Sequence, residues 1–448
     1  MLVEFSVTNF RSIRDKQTLS MVKGKGHEHE ATHTFKPTAP GSETLLKSAA
    51  IYGANAAGKS NIIKAISTMR KMVVDPYNPY EEIGDGEFAF VGIQEYQPFK
   101  FCERKTWDDY IPTEFEVVFI KDGIRYQYGF SFDMEKVIDE WLFAYPSGRA
   151  QRWFEREYQQ DTANYEWSFS SSLAGDKQFW AKATNEYELF LWKANNIKQL
   201  DNVRAWFRED IVELDNLSVQ QFNDESALKS IVKLLLNNKE NFKHKLNKVL
   251  CDLDTKVESL SIVDATPIAI DLEALKKLTI KAGDGGGGNN EKPVSVKEFV
   301  KDRKYRVYAD HYIDNHYYNL DFVEESEGTK RLVWLAVRLL ALLEKEKLII
   351  IDELNNSFHP LLVRYLIGLF HSPDYNQKNA QLIFTTHETS VLDQEVFRRD
   401  QVWFCEKGKD QATRLFALLE FKPRKDYENL AVSYLHGRYG AIPLVNSL

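Results

Sequence analysis

Cysteine is nearly absent: the 448-residue chain has three, Cys102, Cys251 and Cys405, far apart and with no CxxC pair. That excludes a disulfide framework, disfavours a thiolate zinc site and fits a reducing compartment. Glycine and proline are scarce, at 22 and 13 residues, so collagen-like and low-complexity readings fall away. Excess positive charge is missing: 58 Lys and Arg face 66 Asp and Glu, a net charge of −8, so contact with nucleic acid requires a local basic patch. No apolar run reaches a membrane span, because the most apolar stretch, residues 332–343, is interrupted by Arg338. The opening Met1-Leu2-Val3-Glu4-Phe5 has no basic segment ahead of an apolar one, and the expectation is a cytoplasmic protein without a membrane partner. What is present is globular in kind, 43% hydrophobic and 28% charged. At roughly 150 residues per domain, two or three domains are expected.

Residues 2–10 alternate apolar and polar, the period of a half-buried strand. Ala49-Ala50-Ile51-Tyr52 leads into a glycine loop, after which Ile62, Ile63, Ala65, Ile66 and Met69 fall at helical spacing. Two alternating runs around Asp122-Gly123 predict a β-hairpin, and further β segments continue through Trp141-Leu142-Phe143 and Trp153-Phe154. Residues 185–253 turn charged and helical, and 283–290 form a glycine-rich loop. Leu348-Ile349-Ile350-Ile351 and Leu382-Ile383-Phe384 are continuous apolar runs, as in strands covered on both faces. The expected division is 1–175 with the phosphate loop and a β-subdomain, 176–300 as a helical insertion, and 301–448 as the rest of the first domain.

Gly53-Ala54-Asn55-Ala56-Ala57-Gly58-Lys59-Ser60 is a complete GxxxxGKS between an expected strand and a helix that opens at Asn61, the context of a phosphate-binding loop. Backbone N–H groups and the helix amino end surround phosphates, Lys59 neutralises β and γ oxygens, and Ser60 offers a hydroxyl to Mg²⁺. ATP and Mg²⁺ are therefore the expected ligands. A phosphate loop needs a metal-holding carboxylate at the end of another central strand, and Asp352-Glu353 supplies it with a second acid directly after: Asp352 for the metal, Glu353 to polarise an attacking water. Glu325-Ser326-Glu327-Gly328-Thr329 precedes an amphipathic helix, so Ser326 and Gly328 form another anion site, although ordinary N-capping accounts for Ser326 equally well. Thr385-Thr386-His387 ends an apolar strand, where His387 is placed to meet a terminal phosphate or a water; a structural histidine is the alternative.

The order of these motifs resembles the nucleotide-binding domain of ABC-type ATPases, in the SMC and RecF-like branch. The resemblance implies an α/β fold, an ABC/SMC-like P-loop ATPase domain with an antiparallel β-subdomain and a helical insertion in place of a long coiled coil. It implies that Ser326 and Gly328 contact the γ-phosphate held by a second subunit, that Glu353 is the catalytic base and that His387 is the switch histidine. Asn9-Phe10-Arg11-Ser12 resembles the first strand of that branch, with Arg11 near the nucleotide. The Q-loop glutamine, a metal ligand, falls on Gln97 or Gln94. Two positions depart from the pattern: the usual LSGGQ is Glu325-Ser326-Glu327-Gly328-Thr329, and His359 stands at the D-loop aspartate.

A closer resemblance spans almost the whole chain. The opening Val3-Glu4-Phe5-Ser6-Val7, the run Tyr126-Gln127-Tyr128-Gly129-Phe130 and the tail Gly437-Arg438-Tyr439-Gly440-Ala441-Ile442-Pro443 look like RloA and AbiL-type ATPases, related to PARIS and OLD-family ATPases. These belong to abortive-infection loci against phage. The resemblance implies a homodimer or higher homo-oligomer that controls a separate effector encoded nearby, a nuclease or toxin, with DNA or a phage-encoded trigger as a further partner. The stretch after His387 is short, so the TOPRIM nuclease fused there in OLD-family relatives is not expected, and any cutting is expected of a partner. The rival reading is a DNA-repair or DNA-end-binding SMC/RecF-like ATPase.

His27-Glu28-His29-Glu30 with His33 has metal-like composition, yet a solvated loop is the expectation. Lys243-His244-Lys245, the cations from Lys301 to Arg306, and Arg398-Arg399 are expected to be solvated faces. His311 and His316 are assigned to an aromatic-rich strand pair.

Overall fold

The computed structural model describes residues 1–75, 80–84, 87–90, 92–101, 111–214, 225–237, 240–253, 255–264, 305–356, 358–424 and 428–443. The glycine-rich loop 283–290, Cys102, Ser357, Lys301, Arg303 and Lys304 lie outside them. The chain divides into two compact units, one formed by Met1–Asn216 with Leu342–Leu448, the other by Leu217–Ala341.

The first unit is built on a six-stranded sheet in the order Ile211–Glu213, Leu348–Ile351, Gln381–Thr385, Ser48–Tyr52, Val402–Lys407, Thr413–Ala417. Neighbours run parallel except the last pair. The strands LIII, QLIFT and SAAIY are buried at every position, which is why they read as unbroken apolar or small-residue runs. Register fixes the consequence. Ile351 lies opposite Phe384 and Thr385 opposite Ile51, so Asp352, Thr386 and Gly53 all leave the sheet at one edge. In open parallel sheets that carboxyl edge is where ligands bind.

A seven-stranded antiparallel sheet joins Leu2–Thr8 and Gln17–Ser20 to five strands between Thr113 and Phe169. Its Asp122-Gly123 turn has φ of 49° and 74°, the left-handed pair a two-residue type I′ hairpin demands. Helix Lys59–Val74 buries Ile62, Ile63, Ala65, Ile66 and Met69. These share one apolar cluster with Phe5 and Val7 of the antiparallel sheet and Ile51, Ile350 and Ile383 of the central sheet. Burial of each large aliphatic side chain contributes about 1.5–3 kcal/mol, so this helix is held by both layers.

The insertion falls at other residues than 176–300 and is not wholly helical. Residues 176–214 belong to the first unit because the buried Glu140 carboxylate accepts the backbone N–H groups of Phe190 and Leu191 at 2.7 and 3.0 Å. The same carboxylate meets the buried Arg156 at 3.2 Å and the Tyr128 hydroxyl at 2.9 Å. The second unit holds helices Glu225–Asn237 and Glu240–Asp252 and a sheet of Ser259–Asp264, Tyr305–Ile313 and His316–Asp321. That sheet ties residues beyond 300 to the insertion, since Ser259–Asp264 pairs with Tyr305–Ile313 along its whole length.

The histidine stretch is also not a solvated loop throughout. His33 is buried, stacked on His371 at 3.6 Å and on His29 at 4.7 Å, with Nε2 3.1 Å from the Val396 carbonyl. Among the described residues no group of His, Cys, Asp and Glu is suited to hold a metal by itself, and no helix is long and apolar enough to cross a membrane.

Candidate nucleotide site

The Ser48–Tyr52 strand feeds directly into the glycine loop, and Lys59 opens the helix behind it. Gly53 has φ 153° and Gly58 φ 107°; a side chain on either would collide, Gly53 with the Cys405 carbonyl oxygen at 2.4 Å and Gly58 with Thr413 Oγ1 at 2.1 Å. Ala56 adopts φ 63° between them, while Asn55 and Ala56 are exposed and Ala57 is buried. The loop is thus wrapped tightly at both glycines, as a phosphate cradle requires. Lys59 Nζ donates to the Gly53 and Ala54 carbonyls at 2.7 and 3.0 Å. Burial pulls this ammonium below its ordinary value, and the nearby Cys405, Glu353 and Asp352 draw it back up.

The acidic edge is fixed by a residue that local sequence reading passes over. Thr385, at the end of Gln381–Thr385, donates its hydroxyl to Asp352 Oδ1 and accepts the Glu353 N–H at 2.7 Å. Leu354 N–H is bound by the Thr385 carbonyl at 3.1 Å. Glu353 sits at φ 54°, a left-handed conformation that costs energy for a glutamate and that this pair of bonds enforces. Thr386 donates its hydroxyl to Asn355 Oδ1 at 2.8 Å, and Asn355 Nδ2 lies 3.0 Å from Nε2 of the exposed His387. Thr386 N–H closes the set on the Ile51 carbonyl at 3.1 Å, one residue before the loop strand ends.

Further placements follow. Asn61 Nδ2 donates to Ser12 Oγ at 2.6 Å, Ser12 meets Thr413 Oγ1 at 2.7 Å, and Thr413 donates to the Ala57 carbonyl at 2.9 Å, so Asn61 braces the loop from outside. Arg11 has φ 51°, is half-buried, and its N–H is bound by the Gln97 carbonyl at 2.6 Å; Gln94 and Gln97 are exposed. The tail approaches the loop as well, with the Ala441 carbonyl accepting Ala54 N–H at 2.9 Å and the Tyr434 hydroxyl at 2.9 Å. Ser60 lies half-buried in the first helical turn. Thr413 carries no motif of its own; Thr385 stands in the Thr-Thr pair ahead of His387 and Ala441 in the tail Gly437–Pro443, but neither pattern tells what the hydroxyl or the carbonyl binds.

Ser326 and Gly328 belong to the second unit. Ser326 Oγ caps helix Glu327–Leu343 by accepting Thr329 N–H at 3.1 Å, and Ser326 and Gly328 are exposed, with Ser326 Oγ 3.9 Å from where a Cβ on Gly328 would lie. His359 likewise caps helix Pro360–His371, its Nδ1 accepting Leu361 N–H at 3.3 Å.

The donor set fits a magnesium nucleotide: a loop wrapped tightly at two glycines, one buried ammonium, a hydroxyl at Ser60 and a carboxylate at Asp352 whose Oδ1 is oriented by a neighbouring hydroxyl. The family model described as "AAA domain, putative AbiEii toxin, Type IV TA system" matches residues 48–393. No curated protein matches the chain in sequence. Among solved structures it is similar to an SmcHead bound to the C-winged helix domain of ScpA, at 12% identity over 93% of this chain and 97% of that chain, with a TM-score of 0.43. The SMC head domain from Thermotoga maritima aligns at 13% over 93% and 98%, with a TM-score of 0.36. An Smc head domain with an extended coiled coil, bound to the C-terminal domain of ScpA derived from Pyrococcus furiosus, aligns at 10% over 98% and 99%, with a TM-score of 0.40.

Proposed function

The chain belongs to the AAA_21 family of AAA domains, with the α/β fold of an ABC/SMC-like P-loop ATPase, and on that premise we propose that it hydrolyses ATP at a composite site formed by two copies. The observation that carries this reading is the meeting of Lys59, Asp352, Glu353 and Thr386 at one carboxyl edge of the central sheet. Gly53, Asn55, Ala56, Ala57 and Gly58 shape the phosphate cradle and Lys59 neutralises charge there. Magnesium, held by Ser60 and Asp352, would screen the phosphate oxygens when bound. Glu353 takes a proton from the attacking water, and His387, oriented by Asn355, faces the terminal phosphate. Arg11 adds positive charge beside the Gln97 loop, and Gln97 would supply the further metal contact.

Ser326 and Gly328, exposed at a helix amino end, complete the site of a second copy. Closure on two ATP would hold a separate effector, a nuclease or toxin, and hydrolysis would release it. The family's description as an AbiEii toxin of a type IV system supports an antiphage setting for this device. Glu353→Gln tests the core of the reading. It should retain ATP binding while kcat falls about 10²–10⁴-fold, the usual worth of a general base. Turnover at the parent rate in a phosphate-release assay removes Glu353 as base.

A further inference from the structure

The second unit carries an apolar tip for which the reading above provides a partner. Tyr305–Ile313 and His316–Asp321 are joined by Asp314-Asn315 at φ 50° and 64°, a rigid two-residue turn. Around that turn Tyr317 is 72% exposed and Tyr312, Ile313 and Tyr318 are each exposed as well. Tyr312 and Tyr317 are cross-strand partners with ring centres 4.8 Å apart, so the tip is a preformed aromatic knob. Four large apolar side chains within seven residues of surface is the composition of an interface core, where tyrosines supply contact area at small entropic cost.

The knob is fastened to the signature segment. His311 Nε2 lies 2.6 Å from Glu325 Oε1, the residue before Ser326, and both side chains are largely buried. His316–Asp321 runs through the turn Phe322–Glu324 straight into Glu325 and Ser326. Glu325, the neighbour of Ser326, is thereby held against the stem of the hairpin. Charge selects the partner. Among residues 305–330, Asp310, Asp314, Asp321, Glu324, Glu325 and Glu327 outnumber Arg306 and Lys330, the latter paired to Glu327 at 2.6 Å, an acidic excess that repels a phosphate backbone. The phosphate-loop edge of the first unit offers the complement: Arg11, whose Nε is buried without a hydrogen-bond partner, and the exposed Lys64.

We propose that the Tyr312–Tyr317 hairpin tip docks on the phosphate-loop edge of a second copy of this chain when ATP closes the dimer. The inference rests on the two-copy reading above and adds to it the surface that makes closure stable. The test places the photo-crosslinking residue p-benzoylphenylalanine at Tyr317, and separately at Thr329, in full-length Glu353→Gln protein. With ATP and Mg²⁺, Tyr317 should yield a covalent homodimer that is lost with ADP, the crosslink mapping near residues 11–64 of the other copy. Tyr317→Ser with Tyr318→Ser should weaken the ATP-dependent dimer roughly tenfold or more in sedimentation, as for central aromatic anchors, with ATP binding by the monomer unchanged. An ATP-dependent dimer captured from Thr329 but not from Tyr317 overturns this inference and leaves the composite site standing. Absence of any ATP-dependent dimer overturns both. Capture of added single-stranded DNA at Tyr317, in place of the second copy, also overturns it.

Discussion

Gly58 leaves the phosphate loop almost no freedom. Its φ of 107° is closed to other residues, and an added Cβ would sit 2.1 Å from Thr413 Oγ1, a hydroxyl already spent on the Ala57 carbonyl. Gly58→Ala should therefore weaken ATP binding at least tenfold in a fluorescent-nucleotide titration while the far-ultraviolet spectrum is kept; unchanged affinity would remove the loop wrap as a requirement. Thr385 makes the sharper case, because its one hydroxyl serves both acids. Thr385→Val leaves the Glu353 N–H without an acceptor and Asp352 without its donor, at a cost of about 1–3 kcal/mol for each unsatisfied group. The expected outcome is a kcat lowered roughly tenfold or more, with Thr385→Ser restoring it. A Val variant as active as the Ser variant would mean that the turn holds itself.

Strands and helices differ in how openly the sequence declares them. The Asp122-Gly123 hairpin, the glycine-loop strand and the apolar runs ending at Ile351 and Thr385 are legible because their signals are local: a turn residue pair, a period, an unbroken apolar stretch. The brace from Asn61 through Ser12 to Thr413 is not, since its successive members are 49 and 401 residues apart and each is an ordinary polar residue on its own. The edges of the insertion fail for the same reason, being set by Glu140 and by one strand pairing rather than by composition. His33 is the plainest miss, one of three histidines in a polar stretch, which the fold buries against His371. Burial lowers His33 to about 4 and His371 well below its ordinary value, with His29, Lys47 and Arg398 adding like charge. Both are neutral when folded, so the unfolded chain binds more protons below the ordinary 6.5, and stability falls as pH drops from there toward 4. Each histidine contributes a slope of about 1.4 kcal/mol per pH unit in that window. Urea unfolding at several pH values should record this fall and find it shallower in His33→Gln; parallel profiles would exclude the stack as its source.

Two separate units in one chain, one with the phosphate loop and both acids, the other with Ser326 and Gly328, pose a question that one polypeptide alone does not answer: whose signature serves whose loop. If the partner is a second copy, the symmetric dimer has two identical composite sites, and defects can be sorted between them. Lys59→Ala destroys the loop of its own chain and leaves the signature intact; Ser326→Ala does the reverse. A mixed dimer then has one site with both lesions and one site with neither. Each variant alone should be nearly inactive, whereas their mixture should recover up to roughly a quarter of the parent rate, since random pairing makes half the dimers mixed and each has one sound site. Recovery should follow dimer exchange in time and vanish when Glu353→Gln is added to the Ser326→Ala chain, because the surviving site takes its base from that chain. A mixture no more active than the average of its parts would place loop and signature in service of the same chain, and the composite site would fall with it.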